Sequence, residues 1–136
     1  MIKSKFSISL HILTLLALDK DSWLTSAHIA GSLNVNPVIV RKEIMNLKSG
    51  NLIESKEGKN GGVRLLKDPS EIYLSDIFQL VKGKHNVLSL SKNTPNPACP
   101  VGRQINEKLE SVFDNIDDAI IRELSKQTLD AFKNQF

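Results

Sequence analysis

The 136-residue chain is 40% hydrophobic and 24% charged, a balance that excludes a disordered or fibrous protein and leaves room for one compact domain, with or without an oligomerisation arm. Its net charge of +3 is unevenly placed: residues 1–67 hold ten Lys/Arg and five Asp/Glu, whereas residues 68–136 hold eight and ten, so a polyanion would meet the N-terminal half. The longest apolar stretch, residues 10–18, is broken by His11 and Thr14 and is half a membrane span; it lacks a small-residue cleavage site, so a cytoplasmic protein with no membrane partner is expected, and its one cysteine, Cys99, excludes an internal disulfide framework.

Over residues 3–18, Phe6, Leu10, Leu13 and Ala17 recur at spacings of four and three, with Ile8, Ile12 and Leu15 widening the stripe, which predicts a helix with a buried face. Residues 19–22 end it. Thr25 is a good N-cap for a short second helix carrying Ala27, Ile29, Ala30 and Leu33. After a tight turn, Asn36 caps a third helix, and Pro37 takes its first position, where the missing N–H costs nothing. Val40, Ile44 and Leu47 form its inward stripe; Val38, Arg41, Lys42, Met45 and Asn46 fall on the other side. Gly50 and Asn51 tolerate left-handed backbone and end it.

Residues 52–57 and 63–66 read as strands joined by Gly58, Lys59, Asn60, Gly61 and Gly62, a specific hairpin signal. Residues 72–74 read as a short strand or extended link, after which Ser75 caps a helix with Ile77, Phe78, Leu80 and Val81 that ends at Gly83 and packs on the first helix. Residues 84–100, rich in Ser, Asn and Lys and containing Pro95, Pro97 and Pro100, read as a loop. Beyond it Val101, Ile105, Leu109, Val112, Ile116, Ile120 and Leu124 recur every three or four positions, as in a long amphipathic helix whose seam needs a partner. Leu129, Phe132 and Phe136 suit one short terminal helix. The expected organisation is a head at residues 1–83, a loop at 84–100, and a dimerisation helix plus terminal helix at 101–136.

Two short helices separated by a tight turn and followed by a glycine-tipped hairpin follow the order of a winged helix-turn-helix. The fold class is therefore mainly α with a small β-hairpin wing and a long dimerisation helix. A helix fits the major groove of double-stranded DNA, which makes the helix after Asn36 the reader. Arg41 and Lys42 are the candidate base or phosphate contacts, Val38 and Met45 apolar contacts, and Asn46 an outer hydrogen bond. Ser26 and Asn36 stand at helix starts that suit phosphate. Lys56, Lys59, Asn60 and Arg64 sit on the hairpin, beside the sugar–phosphate backbone or a minor groove.

The alternative is a winged-helix protein-interaction module without DNA binding, in which the same cations are a solvated surface. Trp23 and Tyr73 read as core or hinge residues rather than stacking platforms. His11, His28, His85 and Cys99 lie on different elements without triad or metal-ligand spacing, and no nucleotide-binding or zinc-protease motif is present. No catalytic site, metal site or cofactor is expected.

The chain also resembles the Rrf-type family of winged helix-turn-helix bacterial transcriptional regulators, the group of IscR, NsrR and CymR. The resemblance runs along nearly the whole chain, through Ile29 and Ala30, LKSGNLI at 47–53, the wing SKEGKNGGVRL at 55–65, IYLSDIFQLVKG at 72–83 and TLDAF at 128–132. It implies a homodimer joined by the long helix at Ile105, Leu109, Val112, Ile116 and Ile120, a reading helix and wing on each half-site, and repression of promoters. Asn51 replaces the family's usual glycine, Glu57 a commonly basic wing residue and Val63 a commonly aromatic one, so base preference is not carried over. Where iron–sulfur members place three cysteines, only Cys99 stands, and cluster binding is not expected. Such members resemble regulators that answer other signals, which makes Cys99, just ahead of the long helix where the dipole favours a thiolate, a redox-sensing candidate for a small oxidant or thiol-reactive effector.

Overall fold

The computed structural model describes residues 4–136. Among them are helices α1 (Lys5–Leu18), α2 (Ser26–Leu33) and α3 (Pro37–Ser49), strands β1 (Ile53–Lys56) and β2 (Gly62–Leu65), then α4 (Leu74–Lys82), α5 (Pro100–Leu124) and α6 (Leu129–Lys133). The fold class is the expected one, mainly helical with a two-stranded antiparallel hairpin. Lys3, where the periodicity opens the first helix, lies outside the described residues. No described helix is long and apolar enough to cross a membrane.

Helix α1 is apolar on most sides, and Ile12, Leu13, Leu16 and Ala17 are buried at the centre of the core. The remaining elements of the head pack around it, α3 and α4 on one side and α6 and β2 on others. The Thr25 hydroxyl accepts the His28 N–H at 3.1 Å and starts α2. Asn34 then takes a left-handed conformation (φ 54°), which lets the Val35 N–H return to Ala30 O at 3.2 Å and swings the chain into α3.

At the end of α3, Asn51 and not Gly50 takes the left-handed position (φ 59°), with the Leu52 N–H bonded to Leu47 O; asparagine is the side chain that tolerates this after glycine. Gly50 lies against α4, where a Cβ would stand 2.5 Å from the terminal methyl of Leu80 and push that side chain aside. Strand β1 is one residue shorter at each end than the sequence indicates and β2 begins one residue earlier, at Gly62; they pair in the register Ile53↔Leu65, Glu54↔Arg64, Ser55↔Val63 and Lys56↔Gly62. Leu24, in the link between α1 and α2, adds a third rung: its N–H and C=O exchange bonds with Val63 at 2.9 and 2.8 Å.

Ser75 is not the cap of α4. The helix begins at Leu74, the cap is Tyr73, and the Asp76 carboxylate accepts the Tyr73 N–H at 2.9 Å. Ser75 is buried in the first turn instead, because Leu74 and Ile77 must both enter the core and this places the helix start one turn ahead of the acidic side chain that serves it. Before α4, a single tight helical turn, Pro69–Glu71, is capped by Asp68, whose carboxylate accepts the Ser70 N–H and hydroxyl; these bonds hold its carboxyl below the ordinary range.

Helix α5 packs chiefly on α4. Its one fully buried residue is polar: Asp117 accepts Asn86 Nδ2 at 2.7 Å and the Val87 N–H at 3.2 Å, with Lys82 Nζ at 3.5 Å. After α5 the chain returns to the head. Leu74 N–H bonds Gln127 O, Leu129 N–H bonds Ile72 O, and Leu129 is fully buried in the same core as α1. Residues 72 and 73 are thus extended as expected, Tyr73 pairing with Thr128 ahead of α6, while Leu74 already belongs to α4.

Replacing Asp117 with Ala leaves the half-buried Val87 N–H and the Lys82 ammonium without their acceptor and the Asn86 amide with Asp114 alone. Unfolding in urea should show a loss of about 2–4 kcal/mol; an unchanged midpoint would mean water replaces the carboxylate at no cost.

Candidate nucleic-acid interface

Helix α3 is held from behind. Val40 and Leu47 are fully buried, Ile44 packs partly on the core, and Glu43 is 5% exposed with the Ser9 hydroxyl of α1 at 3.5 Å. Asn36 caps the helix as expected, its side-chain oxygen accepting the Val38 N–H at 2.9 Å. With one side fixed to the core, the other is presented to solvent: Val38, Arg41, Lys42 and Met45 are exposed, Val38 at 60% and Met45 at 72%, and Asn46 is half-buried at the edge. Among the described residues neither Arg41 nor Lys42 forms a salt bridge.

This face therefore combines uncompensated cations with apolar side chains whose exposure brings no folding benefit. Ile39, 42% exposed beside Val38, belongs to it and escaped the sequence reading, which took only the residues opposite the inward stripe. Glu43 was also missed. Its position three residues after Val40 was the available signal, since that spacing returns to the buried side.

The hairpin stands next to α3 and is tied to it, Lys48 Nζ donating to Ser55 Oγ at 2.6 Å. Its tip is exposed at Lys59 and Asn60, Asn60 being left-handed (φ 67°). The glycines are there for close approach. A Cβ at Gly61 would overlap the Lys56 carbonyl oxygen at 2.1 Å, and one at Gly62, whose φ is 149°, would stand 2.4 Å from the Leu24 carbonyl oxygen.

The sequence-derived wing residues divide. Lys56, Lys59 and Asn60 are exposed. Arg64 is engaged within the protein: its Nε donates to Glu54 Oε1 at 2.7 Å and its guanidinium lies 4.2 Å from the centroid of the Trp23 ring, with Lys56 Nζ 5.8 Å from the same centroid. Trp23 is consequently a stacking platform, contrary to the expectation of a core or hinge role; a half-buried indole offers its face to cations that the hairpin register brings beside it. Ser26 is the first residue of α2, its capping role taken by Thr25. Cys99 is exposed and is the N-cap residue of α5, away from α3 in the chain, with its carbonyl accepting the Arg103 N–H at 2.8 Å.

Of the residues expected to form a dimer seam, Val112 is 50% exposed, and Ile105, Leu109, Ile116 and Ile120 are half-buried. A second apolar surface lies on the head, an open groove of about 550 Å³ formed by Phe6, Leu10, Leu15 and Leu18 of α1 with Phe132 and Phe136.

Residues 2–135 match the model of the Rrf2 family, described as an iron-dependent transcriptional regulator. YwnA of Bacillus subtilis (strain 168), classed among HTH-type transcriptional regulators, is 36% identical over 129 residues, 95% of this chain and 94% of that protein. The HTH-type transcriptional regulator NsrR of the same organism is 25% identical over 131 residues, 92% and 90% of the two chains. The fold superposes on that of CymR, the global cysteine regulator of B. subtilis, with a TM-score of 0.71 at 21% identity, covering 98% of this chain and 95% of that one.

The iron of the family description finds no matching donor set here. Iron–sulfur clusters are held mainly by thiolates, Cys99 is the single thiol, and among the described residues no group of three or more His, Cys, Asp or Glu is placed to hold a metal. The agreement of fold, wing and helix-turn-helix with a family match over almost the full length leads to one assignment: the chain belongs to the Rrf2 family of winged helix-turn-helix transcriptional regulators.

Proposed function

We propose that the chain is a sequence-specific repressor that binds double-stranded DNA as a homodimer in the cytoplasm and answers oxidants through Cys99. The observation that carries the DNA reading is the outer face of α3, where Arg41 and Lys42 stand unpaired among exposed Val38, Ile39 and Met45 beside a cationic glycine hairpin. In a major groove, Arg41 donates to base edges, Lys42 to a base or phosphate, the apolar side chains meet thymine methyls, and Asn46 donates or accepts at the margin. Lys56, Lys59 and Asn60 follow the sugar–phosphate backbone, and the N-termini of α2 and α3, with Ser26 and Asn36, face phosphates.

The dimer reading rests on α5. A helix of 25 residues is about 37 Å long, and its apolar residues find too little of the chain to cover them. A second copy brings an equal seam, and two-fold pairing places two α3 helices on successive turns of one DNA face. The redox reading rests on the exposure of Cys99 and its place at the start of that same helix. A peroxide or hypochlorous acid takes two electrons from the thiolate sulfur, giving a sulfenate with water or chloride released. Condensation with a second thiol, low-molecular-weight or Cys99 of the partner subunit, then forms a disulfide and releases water.

Binding to a duplex selected from a random library should weaken steeply with salt. Arg41→Ala should lose about 1–3 kcal/mol of discrimination at one base position, while Lys59→Ala should weaken all sequences alike and lower the salt slope by about one. Failure of the native protein to hold any duplex at low salt removes the DNA reading.

The paired change Leu109→Asp with Val112→Asp buries charge in the seam twice over by symmetry, and sedimentation should show the dimer weakened by at least about 100-fold. A dimer of native strength would place the interface elsewhere. Hypochlorite or peroxide should change the DNA affinity of the native chain and leave Cys99→Ser unaffected; equal responses would dismiss Cys99 as the sensor.

A further inference from the structure

The engagement of Arg64 separates the cations of the wing into two kinds. The register sets Glu54 opposite Arg64 and Lys56 opposite Gly62, and side chains two apart on a strand share a face, so Glu54, Lys56 and Arg64 emerge on one side of the hairpin. Trp23 meets them there. It precedes Leu24, whose backbone is locked to Val63, and that approach is possible only because Gly62 carries no Cβ. The ring is thereby fixed under the guanidinium at 4.2 Å while Glu54 holds Nε from the side. The base of the hairpin is held by buried Ile53 and Val63 and by the Lys48–Ser55 bond; on the Trp23 side, this stack and the Leu24–Val63 bridge add the bracing.

We infer that Trp23 is a positioning residue for the DNA-contacting wing, acting through Arg64, and that Arg64 is a strut of the wing rather than a phosphate ligand. The ring at 4.2 Å and the Glu54 carboxylate on Nε hold the guanidinium in place; moving Arg64 off this seat to reach a phosphate would give up both and leave Glu54 facing the polyanion. The cations left for phosphate are Lys59 at the tip and Lys56, whose ammonium lies at the outer edge of the ring's reach. Trp23 thus contributes to affinity without touching DNA. The inference rests on the proposed DNA binding for its functional consequence, and on geometry alone for the strut.

Two measurements on the full-length protein test it separately. In the first, affinity for the library-selected duplex is measured for Trp23→Ala, Trp23→Phe, Arg64→Ala, Lys59→Ala, and Lys59→Ala combined with each of Trp23→Ala and Arg64→Ala. Trp23→Ala should weaken binding about 10-fold, Trp23→Phe should restore most of it because the phenyl face still attracts the guanidinium, and Lys59→Ala should add less than about two-fold in either background. Full additivity of Lys59→Ala with Arg64→Ala would make Arg64 an independent phosphate contact and overturn the inference. In the second, without DNA, hydrogen exchange at the Leu24 and Val63 amides should rise about 10-fold in Trp23→Ala and little in Trp23→Phe, with the Leu47 and Leu16 amides unchanged. Unchanged protection at Val63 refutes the strut, as does an equal rise at Leu16, which signals general destabilisation only. A native protein that binds no duplex refutes the DNA reading and leaves the exchange result to decide the strut.

Discussion

Burial of α1 is the constraint from which the other placements follow. A fourteen-residue helix with apolar side chains around most of its circumference cannot be covered by one neighbour, and at roughly 25 cal/mol per Å² of apolar surface removed from water there is a strong drive to surround it. Helices α2, α3, α4 and α6 and strand β2 do so. Because α3 is held on its Val40, Glu43 and Leu47 side, its cationic side is left outward, and because Val63 enters the same core, the hairpin is fixed beside it. The surface proposed to read DNA is therefore what remains of α3 once α1 has been covered.

Most of this was legible in the sequence because it rests on local periodicity and local chemistry. The Asn36 cap, Pro37, the Val40 and Leu47 stripe and the glycine run are each decided within a few residues, and the structure has them at those positions. The features that were not legible depend on contacts across long separations. Nothing near Trp23 indicates that residues 56 and 64 will arrive above its ring, and nothing near Glu43 names Ser9 as its neighbour. The start of α4 was misplaced for a related reason: Ser75 has the right chemistry for a cap, but the core needs Leu74 on the helix, and Asp76 reaching back to Tyr73 serves equally well. Where two local solutions are close in energy, tertiary burial selects between them.

Asp117 shows the same principle in the long helix. Periodicity marks α5 by its apolar seam, yet its most buried side chain is a carboxylate. The apolar residues of α5 remain open to a partner while the polar one faces inward, so the helix is joined to its own head by directional bonds and offers its non-directional surface outward. Buried hydrogen-bonded groups fix geometry more sharply than apolar packing does. Asn86, Val87 and Lys82 thereby set the orientation of α5 relative to α4, whatever covers the seam.

The attachment of α5 is also uneven along its length. Its C-terminal end is bound to the head through the pairing of residues 72–74 with 127–129 and its middle through Asp117. Its first turn is held by the preceding loop: Gly102 lies so close to Asn96 that a Cβ would come within 2.5 Å of the Asn96 carbonyl oxygen, and Cys99 donates its N–H to that same oxygen at 3.1 Å. The exposed thiol thus sits at the end of α5 farthest from the two fixed points, beside a close contact between Gly102 and Asn96. Under the proposed redox reading, a modification at Cys99 acts first on this loop and the first turn of α5. Since α4 lies against Gly50 at the end of α3 through Leu80, and Asp117 of α5 is bonded to Asn86 and Val87 just beyond α4 with Lys82 at 3.5 Å, α3 and α5 are both braced on the same short helix.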